Sequence, residues 1–124
     1  MKVEVSNGEI VDKISILMIK LEKITDIEKI ANIEKELSGL FPFMTKMGMT
    51  TEDESFKMLK DINLTLWDIE DSVRELESKQ DFGENFVKLA RQVYYTNDHR
   101  FKIKSEINTK TGSSLKEEKS YEEY

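Results

Sequence analysis

Residues 81–108, DFGENFVKLARQVYYTNDHRFKIKSEIN, decide how this chain folds. Phe82, Phe86, Leu89, Val93, Arg100, Ile103 and Ile107 recur at helical intervals, with Thr96 filling the step between Val93 and Arg100. Asp81, followed three residues later by Glu84, reads as a capping box, so a helix is predicted over 82–109. Its apolar half is expected to anchor a core. The stripe then breaks at Thr96-Asn97-Asp98-His99-Arg100. Buried polar groups cost stability unless partnered, so this cluster calls for internal partners, water or a ligand.

Working upstream, Phe56, Leu59, Ile62, Leu66, Ile69, Val73 and Leu76 alternate steps of three and four behind a Thr51–Glu54 capping box. The pattern predicts a helix over 52–79 with a coiled-coil-like seam. Lys79-Gln80-Asp81 has room only for a tight turn, so the two helices should form an antiparallel hairpin. Leu64 and Trp67 lie off the seam and ask for a second covering, internal or from another subunit. Gly39, Pro42 and Gly48 mark a break, and 41–50 reads as an apolar loop folded over the bundle's end or contacting a ligand.

Nearer the N-terminus, Ser6 and Glu9 box the start of a helix over 7–24 carrying Ile10, Ile14, Leu17, Leu21 and Ile24. Thr25 and Glu28 repeat the signal for a helix over 26–40 with Ile30, Ile33, Leu37 and Leu40. Alternation of Met1, Val3 and Val5 with Lys2 and Glu4 permits a short N-terminal strand. At the other end, Gly112 suits a helix C-cap. Ser114 with Glu117 could open a short helix over 115–122, docked on the bundle or on a neighbouring subunit. The fold class read from these signals is all-α, a bundle of long antiparallel helices in one domain spanning 1–124.

Composition narrows the functions. A chain of 124 residues with 35% charged and 38% apolar side chains suits narrow apolar stripes, and thin helices of this kind need partners. The absence of cysteine excludes disulfides, thiolate zinc sites and a cysteine nucleophile. No run approaches the roughly 20 apolar residues of a membrane span, and Met1–Val5 lacks the apolar region of a signal peptide, so a cytoplasmic location is expected. A net charge of −6, with lysines interleaved among glutamates, opposes nucleic-acid binding.

Several signatures combine into a wider pattern. They are Ser6-Asn7-Gly8-Glu9-Ile10-Val11-Asp12-Lys13-Ile14-Ser15-Ile16-Leu17 with Lys20, Ala31-Asn32-Ile33, and Leu66-Trp67-Asp68-Ile69-Glu70-Asp71. Downstream come Leu89-Ala90-Arg91, Thr96-Asn97-Asp98 with Arg100, Ile103-Lys104, Ile107-Asn108, and Gly112-Ser113 with Glu117, Glu118, Lys119 and Tyr121. With these the chain resembles a family of small all-helical domains of unknown function found in marine and other bacteria and their phages. The resemblance implies a bacterial cell or a phage-infected host. It also implies an occasional association with glycosyltransferases and surface-polysaccharide genes, and it supplies no catalytic residue to carry over. Met18 departs from the glutamate more usual at its position.

The site expected from these readings joins Glu9, Asp12, Lys13 and Lys20 of the first helix to Asn97, Asp98, Arg100 and Lys104 of the last. Arg100 shares the phase of Val93 and Ile107, so its fork of donors starts inward, where Glu9 or Asp12 can satisfy it bidentately. The reading favoured is a self-associating binding or scaffolding module, a homo-oligomer with room for a protein partner and no cofactor or metal. Two helical enzyme classes compete with it. Ile10-Val11-Asp12-Lys13-Ile14 faintly resembles the first helix of all-helical chorismate mutases, without their early arginine. Glu9-x-x-Asp12 with Asp68-x-x-Asp71 is the nearest match to the Mg²⁺-binding carboxylates of all-helical nucleotide pyrophosphohydrolases. His99, the sole histidine, reads as a surface residue.

Overall fold

The computed structural model of the chain describes residues 1–120. Its helices are α1 (Asn7–Lys23), α2 (Ile27–Lys46), α3 (Glu54–Ser78) and α4 (Glu84–Thr111). No strand occurs among the described residues, and Met1–Val5 lie exposed instead of pairing. Helix starts follow local chemistry. Ser6 Oγ accepts from the Glu9 N–H at 3.2 Å, as its box requires. In α2 the cap is Asp26, accepting from the Lys29 N–H at 3.1 Å, in place of Thr25. Asp53 caps α3, although its carboxylate accepts from the Thr50 N–H at 2.7 Å. Asp81 spends its carboxylate on the Gly83 N–H at 3.2 Å, so α4 begins at Glu84 with Gly83 as its cap.

Two expectations about segment boundaries change. Residues 41–46 are helical, with Pro42 inside α2. Proline costs one helical hydrogen bond there, and burial of Met44 two residues on offsets that cost. Met44 and Met49 are fully buried and join the core, so the apolar segment closes the bundle's end, while Phe41 and Phe43 stay exposed. The predicted helix at 115–122 is absent as far as Ser120; residues 121 and 122 lie outside the described part.

The core gathers Val11 and Ile14 of α1, Met44 of α2, Met49 of the connection that follows it, Phe56 and Leu59 of α3, and Ile103 and Ile107 of α4. Helix α1 packs against all three others, and α2 approaches only α1. Helices α3 and α4 form the antiparallel hairpin: Glu70 shares a groove with Val93, and Leu76 and Lys79 share another with Leu89 and Asn85. Between Glu70 and Tyr95 no residue is fully buried, and the hydrogen bonds of α4 to α1 run from Arg100 toward its C-terminus. Phe82, which the stripe placed in the core, is therefore exposed, while Phe86, Leu89 and Val93 are half-buried. The periodicity identified an apolar face but not the length over which other helices reach it.

Candidate functional site

Next to the arm formed by residues 70–95 of the α3–α4 hairpin, α1 and α4 meet through two polar ridges. On α1, Gly8, Asp12 and Ser15 share a face at steps of four and three; on α4, Asn97, Arg100, Lys104, Asn108 and Thr111 do the same. The ridges touch closely because Gly8 has no side chain: a Cβ there would stand 2.6 Å from the Lys104 carbonyl oxygen. The first turn of α1 thereby docks on the last turns of α4. Gly8 N–H donates to Asn108 Oδ1 at 2.6 Å, Asn7 N–H donates to Ser113 Oγ at 3.0 Å, and Asn7 Nδ2 donates to Thr111 Oγ1 at 2.9 Å. Each bond satisfies a backbone donor or amide that the helix itself leaves open.

Asp12 is the centre of the cluster, with its side chain 1% exposed. Arg100 grips both of its oxygens, donating through Nε at 3.0 Å to Oδ1 and through Nη2 to Oδ2. Asn63 of α3 donates from Nδ2 to Asp12 Oδ1 at 2.9 Å and to Ser15 Oγ at 2.8 Å. Ser15 Oγ in turn donates to the Asp12 carbonyl at 2.7 Å, and Arg100 Nη1 to Asn97 Oδ1 at 3.4 Å. Beside this set Lys104, its side chain 9% exposed, donates to Glu9 Oε2 at 2.7 Å and pairs with Glu117 Oε2 at 3.0 Å, with Asp12 Oδ2 at 4.0 Å. The bond to Asp12 chiefly holds the Arg100 guanidinium above its ordinary pKa, against the pull of burial. Burial lowers Lys104, but its bonds to Glu9 and Glu117 and the charge of Asp12 outweigh that and leave it raised.

Four of the residues expected at the site, Glu9, Asp12, Arg100 and Lys104, are thus brought together, with Asn97 at their edge. Asp98 is half-buried on the same helix, and His99 is exposed. Lys13 belongs elsewhere: it faces α2, where its Nζ meets Glu36 Oε1 at 2.9 Å beside an open groove of about 860 Å³ lined by Val5, Ile10 and Leu40. Successive helical residues point about 100° apart, so Lys13 could not share the inward direction of Asp12. Lys20 lies two turns beyond Asp12, and its carbonyl accepts from the Ile24 N–H at 2.8 Å. The carboxylate pairs likened to a Mg²⁺ site are not gathered: Glu9 and Asp12 hold cations, and Asp68 and Asp71 are exposed. Among the described residues no three His, Asp or Glu side chains are grouped as a metal would need. The reading of the sequence missed Asn63, Ser15, Asn108 and the pairing of Glu117. Asn63 had a signal, since it stands four residues after Leu59 and three before Leu66 on an otherwise apolar face.

A family model matches the chain over residues 1–124, and its description is Family of unknown function (DUF6165). No curated protein and no solved structure matches.

Proposed function

Since the chain belongs to that family, we propose from its own surface that it is a self-associating scaffolding module, with a second copy of itself as the partner of its α3–α4 arm. The observation that carries this is the arm's uncovered seam. Val73, Phe86 and Val93 line an open groove of about 420 Å³ on one flank, and Leu76 and Leu89 line one of about 410 Å³ on the other. Phe82, Val87, Tyr94 and Tyr95 are exposed on the same arm. Large apolar residues left exposed together on one hairpin favour association. Two antiparallel helices bury only the seam between them, whereas two such arms side by side form a four-helix bundle.

The first groove also carries a self-complementary charge row, Glu70, Arg74 and Glu77. A two-fold axis crossing α3 near residue 72 sets the Glu70 of each copy against the Arg74 of the other, which is the pairing an isologous contact demands. The polar cluster fits the same reading: its cations are held by Asp12, Glu9 and Glu117 of the chain itself. Light scattering at micromolar concentration tests the proposal. It should give a multiple of the 14.5 kDa chain, and Phe86→Glu should return the mass of one chain. A parent that stays at one chain's mass would overturn it.

A further inference from the structure

We propose that the face of α4 presenting Phe101 and Lys104 is a receptor for a peptide carrying a carboxylate and, two residues on, a cation, and that residues 113–119 of this chain cover it in cis. This face lies away from the arm and does not depend on the association proposed there. Gly112, at φ 68°, turns the chain out of α4. Ser113 then fixes the turn, its N–H donating to the Asn108 carbonyl at 2.9 Å and its Oγ to the Leu115 carbonyl at 2.6 Å. From there the segment doubles back along α4. Glu117 meets Lys104 at 3.0 Å, and the Lys119 ammonium stands 5.1 Å from the centre of the Phe101 ring.

The charges show why this segment can exchange. Asp12 and Glu9 already balance Arg100 and Lys104, so Glu117 is a further anion laid on a neutral set, and its departure strands no buried charge. Its side chain is 38% exposed, open to water and to screening by salt. The socket beneath it is fixed by contrast. Lys104 stays held by Glu9, and an ammonium has three donors, so loss of Glu117 frees one at a set position. Phe101, one helical turn away, offers a ring face for a cation. A fixed cation and an aromatic face at this spacing select an acidic peptide with a basic residue following, the chemistry of Glu117-Glu118-Lys119.

Acetylation of Lys104 by an amine-reactive reagent, followed by mass spectrometry on the full chain, tests this. Glu117→Gln should raise the Lys104 rate several-fold and leave the exposed Lys57 and Lys79 unchanged, which also shows that the fold is retained. The free peptide SSLKEEKS, added to the Glu117→Gln chain, should restore protection, and the same peptide with glutamine at the Glu117 position should not. An unchanged Lys104 rate in the variant would overturn the proposal. So would a glutamate peptide that protects no better than its glutamine counterpart.

Discussion

Replacing Arg100 by alanine should cost about 3 kcal/mol of folding free energy. Arg100 donates to both oxygens of Asp12, and that carboxylate is 1% exposed. After the substitution Asp12 keeps the Asn63 amide at 2.9 Å and the Lys104 ammonium at 4.0 Å. Stranding one member of a buried pair costs about 3–5 kcal/mol, and the lower end applies because Asn63 remains and water enters the partly exposed place of the guanidinium. At about 4 °C per kcal/mol for a chain of this size, the melting temperature should fall by about 12 °C. Urea unfolding followed by far-UV circular dichroism measures the loss directly. Arg100→Lys, which keeps the charge and loses the fork, should fall between parent and alanine. The Asp12→Ala/Arg100→Ala double variant should lose less than the two single variants added together. A loss below about 1 kcal/mol, the worth of an exposed pair, or strict additivity would refute the reasoning.

Gly8→Ala should destabilise by about 1–3 kcal/mol even though alanine is the better helix former by about 1 kcal/mol, because its Cβ meets the Lys104 carbonyl and pushes α1 off α4; a stabilised variant in thermal melts would contradict the close approach. Ser55 Oγ is buried without a hydrogen-bond partner among the described residues. Ser55→Ala should therefore be neutral or stabilising by about 1 kcal/mol, and a clear loss in the same melts would mean the hydroxyl is satisfied. The raised pKa of Lys104 gives a pH signature with a definite sign. Its contribution is fully present below the ordinary 10.5 and is lost as pH rises through the higher folded value. The melting-temperature gap between parent and Lys104→Met should hold steady up to about pH 10 and shrink above it; a gap that stays constant through the alkaline range would contradict the pairing.

How far the sequence reveals this molecule depends on the range over which each feature is determined. Ser6 caps its helix within three residues, and the seam from Phe56 to Ile69 is set by a repeat along one helix, so both can be read locally. The break at Thr96–Arg100 pointed to the right side of α4, and the phase of Arg100 turned it toward Asp12. Asn63 and Ser15 escaped because attention to apolar phase passes over single polar residues on the same face. Pro42 misled because its local cost is legible and the burial of Met44 that offsets it is not. Phe82 misled for a related reason: periodicity along α4 carries no information about where α1 and α2 end. Glu117 lies outside any helix, and only the reversal after Gly112 brings it to Lys104.

The arm's role as the contact between copies is tested most directly by hydrogen–deuterium exchange across a range of protein concentrations. Amides of residues 70–95 should gain protection as concentration rises, while those of the core around Ile14, Leu59 and Ile107 stay constant. Protection of the arm that does not change with concentration, at concentrations where scattering detects oligomers, would place the contact on another surface and contradict the account.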